Sequence, residues 1–556
     1  MRPRLLLLRQ ALAKPSRTSL RAFAQSTVRT GIRARPQLPF LSVPTGAARA
    51  TQRVRYLTTE RKAQLKYEIG QGIKYTGYIW IAGACFAALC VAISQELLER
   101  EYPTPHEWSY YTRMCYRSAH CSRYETNPSR STNWINVLEW IKTSIERLED
   151  PKVDGRQLKD APSDRPKGTK DISDMPEPWR RGYFEAMMMY AKAAEHLDGW
   201  VRDKTRNMVF PANMVVGPSN PWPRPIPAGV KGQPREENCE LAYEPADDIY
   251  MRLISTEGLT TRQRIDAGIA FASWLEFNGT KGPASILHED AIELALSEQP
   301  LPQDEVIDRT TFVLKDSATP SRNLLLSLTT YATFRARCGD LSTAFPILVS
   351  LLKARRSIPK ADTSLTRDLP SFTNSEGTWA KLAALFKEPA YPGPPPSGAL
   401  PPARESKELC EEAALNLYIG EILFATQKNS REDGLAWTRD AVDLAEEQLR
   451  SLTSSVTDRP ARTTCRECLA TGLDNWLAMV SKLADEEATK KAAAEANKTK
   501  GSKLSLFRLW GNQDREEDLT RWKAEVRVIE ERTRRSKALL DDLTPPGNGL
   551  ATFFSA

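Results

Sequence analysis

At 556 residues, 41% of them hydrophobic, the chain is long enough for several domains or one extended array and apolar enough to build cores, which excludes global disorder. Its formal charge of +8 is unevenly placed: twelve Lys and Arg residues and no Asp or Glu precede Glu60. Beyond that point 66 of the 78 basic residues face 70 acidic ones, so the basic excess that draws a nucleic acid is missing and no nucleic-acid partner is expected.

Residues 1–58 are Arg-rich, contain Ser and Thr, and start apolar at Leu5 to Leu8. This is the composition of a mitochondrial presequence, a basic amphipathic helix that an import receptor binds by its apolar face and a membrane potential pulls by its charge. Arg53-Val54-Arg55-Tyr56 is the expected region of processing. Residues 59–74 then form a short matrix-facing segment. Residues 75–93, Tyr75 to Ile93, carry no charge over 19 positions; at about 1.5 Å per residue they just cross a hydrocarbon core of about 30 Å.

Arg61, Lys62, Lys66 and Lys74 precede this span, whereas Arg100 and Arg113 follow it among Glu96, Glu99, Glu101 and Glu107. The positive-inside rule therefore places the N-terminal side in the matrix and the large C-terminal portion in the intermembrane space. Within the span, Gly83 and Ala87, and Ala84, Ala88 and Ala92, set small residues four apart, the spacing that lets another transmembrane helix approach closely.

Residues 101–545 read as an all-α domain, since no run of alternating β-branched residues lies between hairpin turns. Two stretches align without gaps: Phe271-Ala272, Gly279 and Ala284 recur as Tyr331-Ala332, Gly339 and Ala344. In each, one helix ends at a Gly turn and the next opens with a small residue at the helix crossing. This is similar to the tetratricopeptide (TPR) hairpin, and it predicts a TPR-like helical-hairpin solenoid after a single transmembrane helix.

His288 stands where the hairpin pattern usually has a larger apolar group. A looser copy pairs the helix around Gly420 with Gly434 to Leu449. A fourth opens at Cys465 and closes with Leu519 to Leu543, and Gly182 to Leu197 has the same helical period upstream. Helical period places Leu325, Thr329, Ala332 and Ala336 on the inner surface as the candidate client groove. Two Pro-rich loops, Gly217 to Gly229 and Glu388 to Ala403, are expected as stiff connectors. Glu486 to Lys503 reads as a solvated helix extension or flexible insertion, and residues 546–556 as a flexible tail.

Sequence signals for chemistry are sparse. None of His106, His120, His196 and His288 forms the His-Glu-x-x-His of a zinc protease, and no Gly-rich run ends in Gly-Lys-Ser/Thr. Of nine cysteines, Cys465 and Cys468 form a CxxC, which lacks the further ligands a zinc site needs and sits in a helical stretch that favours two packed thiols. No catalytic residue, cofactor or metal is expected.

CEEAALNLYIGEILFAT, Cys410 to Thr426, followed by GLAWTRDAVDLAEEQL, Gly434 to Leu449, resembles the fungal TPR-containing adaptor subunit of the mitochondrial inner-membrane i-AAA protease complex. The resemblance implies association with a membrane-anchored AAA+ metalloprotease and its other adaptor subunit. It also implies delivery of unfolded or misassembled membrane-protein clients to that protease. The Pro-rich loops and the insertion at Glu486 to Lys503 depart from the family pattern. A TPR scaffold or assembly factor for another inner-membrane complex is the alternative expectation.

Overall fold

The computed structural model describes residues 59–123, 132–162, 164–226, 232–315, 319–359, 391–426, 430–452, 459–500 and 513–541. The expected presequence at 1–58 and the expected tail at 546–556 lie outside the described residues. The chain divides into two units, Met1–Val91 with Leu543–Ala556, and Ala92–Asp542.

In the first unit the described residues belong to α1, which spans Thr59–Glu101. Its 43 residues correspond to about 64 Å at 1.5 Å per residue, roughly twice a hydrocarbon core. Residues 59–74 form the first turns of this helix. None of the apolar stretch is buried, Ile79 and Trp80 being each 71% accessible, and the helix has the length and composition to cross a membrane.

The second unit is mostly helical: α2 Tyr110–Arg123, α3 Trp134–Glu149, α4 Glu177–His196, α5 Ala246–Ile254, α6 Thr261–Phe277, α7 Lys281–Ser297, the single turn α8 Gln303–Val306, α9 Arg322–Arg337, α10 Leu341–Ser357, α11 Ser406–Thr426, α12 Arg431–Ser451, α13 Arg459–Lys500 and α14 Gln513–Asp541. The expectation of an all-α domain is corrected by two small antiparallel sheets. One pairs β1 Lys159–Asp160 with β2 Lys170–Asp171; the other orders β4 Met208–Pro211, β3 Trp200–Asp203 and β5 Cys239–Leu241. These strands of two to four residues are too short to show alternation, and the β3–β4 turn is held by Asp203, whose carboxylate accepts from the Thr205 amide and hydroxyl.

Helices pack on their chain neighbours: α2 on α3, α6 on α7, α9 on α10, α11 on α12 and α13 on α14, with α7 against α9, α10 against α11 and α11 against α13 linking the pairs. The turns of the two register-matched pairs are built alike. The Thr280 amide donates to the Leu275 carbonyl and Gly279 to Glu276; Asp340 donates to Arg335 and Gly339 to Ala336. Gly279 and Gly339 take φ of +81° and +90°, a conformation that suits glycine at a helix C-terminus. Ala272, Ala284, Ala332 and Ala344 are fully buried at the two crossings.

Two cores result, and α11 serves both. Its Leu415, Ile419 and Ile422 join the larger core, which extends back through α9, α6 and α4 to α3, while Cys410, Ala413, Leu417 and Phe424 join a second core with α12 to α14. Both sets recur at helical spacing on different faces, which is how one helix is apolar on two sides. At its crossing with α12, a Cβ on Gly420 would lie 2.8 Å from the Gly434 carbonyl oxygen, so the two glycines set a backbone-close approach.

Four tyrosine hydroxyls inside the larger core are paired with carboxylates. The hydroxyls of Tyr116, Tyr183, Tyr190 and Tyr250 donate to Glu185, Glu149, Glu244 and Glu195, respectively. Each ring thereby buries apolar area while its oxygen remains satisfied.

Candidate functional site

The last turn of α1 is fixed to α2 by a buried ion pair. Glu99 is 3% exposed; its carboxylate contacts the Arg117 guanidinium, lies 3.1 Å from Arg113, and accepts from the Thr104 amide at 2.9 Å and hydroxyl at 2.7 Å. Arg117, 2% exposed, also donates to Gln95 at 3.1 Å. Burial lowers the Arg117 pKa, and the charge of Glu96 offsets part of that shift. In the sequence Glu99 is one of several acidic residues after the span, and only the fold singles it out.

Gly83, Ala84, Ala87, Ala88 and Ala92 are all exposed, and a Cβ on Gly83 would meet nothing within 4 Å. Their small-residue face is open to a neighbour.

The candidate groove residues divide between core and surface. Leu325 and Ala332 are 1% and 0% exposed, so they pack the larger core and do not line an open groove. Ala332 lies at the crossing of α9 and α10, where its small side chain is needed. Thr329 and Ala336 are half-buried, with the Thr329 hydroxyl bonded to the Leu325 carbonyl. A helix packed on two sides hides more of its circumference than a single-stripe reading allows.

The cysteine reading also changes. Cys465 forms a disulfide with Cys410, joining α13 to α11 with their Cα atoms 5.0 Å apart, and both cysteines are fully buried. Cys468 remains a free buried thiol, its pKa pushed up to about 12 by burial, so it is protonated at neutral pH and poorly suited to attack a disulfide. The CxxC therefore consists of one cysteine linked to another helix and one packed thiol.

His288 is 1% exposed, with its ring centroid 5.0 Å from Phe334 and 6.4 Å from Tyr331. Neither ring nitrogen has a hydrogen-bond partner among the described residues, and burial lowers its pKa to about 4. It occupies its apolar position as a neutral ring. No group of three or more His, Cys, Asp and Glu side chains suited to a metal occurs among the described residues. A cleft between α12 and α14 is lined by Glu446, Arg450, Arg527, Val528, Glu531, Arg532 and Arg535. Most of its charges are engaged in ion pairs: Arg532 with Asp443 and Glu446, Arg450 with Glu446, and Arg535 with Glu531.

The Pro-rich segment before α11 is a further feature that the sequence did not assign to a site. Residues 391–403 pass along the array outside any helix or strand, where Arg181 of α4 and Asn323 of α9 bond their carbonyls.

Comparisons with protein-family models, curated proteins and solved structures gave no match.

Proposed function

We propose that the chain is a non-catalytic adaptor anchored in the mitochondrial inner membrane. Its helical array acts as a TPR-like solenoid that captures unfolded or misassembled membrane proteins and presents them to a membrane-anchored AAA+ metalloprotease. The observation that carries this reading is the pair of register-matched hairpins, α6–α7 and α9–α10, with the same glycine turn and alanine crossing, continued by further packed helix pairs. Repeated hairpins of this kind produce extended surfaces suited to peptides and partner helices.

Two further features support the anchoring and the compartment. The exposed apolar helix has the length and composition of an anchor, and its last turn is held on α2 by a buried ion pair. The Cys410–Cys465 disulfide suits an oxidising space such as the one that the charge asymmetry assigns to the C-terminal portion. Confining a client beside the protease raises its effective concentration, which can multiply apparent affinity by about a hundredfold or more.

Binding to chemically denatured model proteins tests the client role. The full-length chain in mild detergent is expected to retain denatured substrates and to ignore their native forms. A fixed scaffold would ignore both, and that result would remove the client-binding reading.

A further inference from the structure

Tyr391 to Arg404 contains six prolines in 14 residues. Proline fixes φ near the polyproline value and has no N–H, so such a segment stays extended and presents carbonyls that need donors. The donors come from the array. The Arg181 guanidinium, itself only 7% exposed, donates from Nη1 to the Gly393 carbonyl at 2.6 Å and from Nη2 to the Pro392 carbonyl at 2.5 Å, and lies 4.4 Å over the ring of Tyr391. Glu177, 3.5 Å from Nε and one turn earlier on α4, braces it.

The second set of contacts lies at the start of α9. Asn323 donates from Nδ2 to the Ser397 carbonyl at 3.0 Å, its amide donates to Gly398 at 3.0 Å, and the Arg322 amide donates to Leu400 at 3.1 Å. Asn323 is fully buried and is oriented by Arg262 of α6 at 3.3 Å and Glu298 at 3.0 Å. Gly398 takes φ of +78°, and a Cβ there would lie 2.1 Å from the Asn323 Oδ1, so the segment passes against this side chain at its closest. Five backbone carbonyls are thus received, whereas the side chains of Pro394, Pro395 and Pro396 face outward.

We propose that Arg181, Asn323 and the first turn of α9 form a binding track for an extended, proline-containing peptide, and that Tyr391–Arg404 fills this track in cis until a partner segment displaces it. Recognition through backbone carbonyls tolerates many sequences. The stacking of Arg181 on Tyr391 adds a preference for an aromatic residue just ahead of a proline. The track stands on this geometry alone; naming an unfolded client as the displacing partner rests on the adaptor reading above. Because the occupant is covalently attached, its effective concentration is about millimolar, and a free peptide competes poorly until the segment is removed.

The test uses the full-length chain in mild detergent and a fluorescent peptide with the sequence of Tyr391 to Ala403, read by anisotropy. Replacing residues 391–400 with a Gly/Ser stretch of equal length is expected to tighten peptide binding at least about tenfold over the wild type. Adding Arg181→Lys, which keeps the charge but loses the fork that meets two adjacent carbonyls, is expected to abolish the gain. Tyr391→Ala in the otherwise intact chain provides a second route, since it removes only the ring on Arg181 and is expected to raise peptide binding in the same direction. A strap-replaced chain with native circular dichroism that binds no better than wild type overturns the proposal; if that variant does not fold, no gain from Tyr391→Ala overturns it. Peptide binding without capture of denatured proteins keeps the track and removes the adaptor reading, while the converse keeps the adaptor and removes the track.

Discussion

His288 and Glu99 are both buried, but their environments oppose each other. His288 is kept neutral by an apolar site, its pKa near 4 in the fold against about 6.5 in the open chain. Protonation therefore favours unfolding. The stability that this residue contributes is complete above pH 6.5, falls as pH drops from 6.5 to 4, and is level below. A depression of this size corresponds to at most about 3 kcal/mol. His288→Phe is expected to remove that slope, checked as the difference between wild-type and variant urea midpoints at pH 7 and pH 4.5. Glu99 is the opposite case, a buried carboxylate faced by two arginines. Glu99→Ala leaves Arg117 buried without its carboxylate and is expected to cost about 3–5 kcal/mol, measured by chemical denaturation. The sequence marks His288 as an anomaly in an apolar position, but nothing local distinguishes Glu99 from Glu96 or Glu101; its partners come from α2.

Among the elements, helices with strong apolar spacing or glycine-marked turns were legible in the sequence. The pairing of Gly279 with Gly339, and of Ala284 with Ala344, followed from residue type because a left-handed turn and a close crossing each admit few side chains. The short strands were not legible, since two to four residues give too little pattern. Nor was the inner face of α9: Leu325 and Ala332 are apolar because they are core, and helical period alone cannot separate a buried face from a ligand-binding one. Spacing also drew attention to the CxxC, whereas the bond runs from Cys465 to Cys410 on another helix. That bond closes a loop across a sequence separation of 55 and ties α11 to α13. Cys410→Ser with Cys465→Ser is expected to destabilise the helices of the second core by about 2–4 kcal/mol and to make their melting insensitive to reductant, read by thermal denaturation with and without dithiothreitol.

For the whole molecule, charge and hydropathy gave the membrane-crossing candidate directly, because 19 uncharged residues have few other uses, and α1 extends that stretch into a helix of 43 residues. What the array binds was less legible, since helical hairpins are a scaffold on which unrelated partners are recognised. The adaptor reading makes capture and delivery separate requirements: the array holds the client, and the anchored helix holds the array near the protease. Affinity purification of the tagged full-length chain from gently solubilised inner membranes, followed by mass spectrometry, tests this most directly. The account predicts recovery of an AAA+ metalloprotease in near-stoichiometric amount; its absence, with another inner-membrane complex recovered in its place, would contradict the adaptor role.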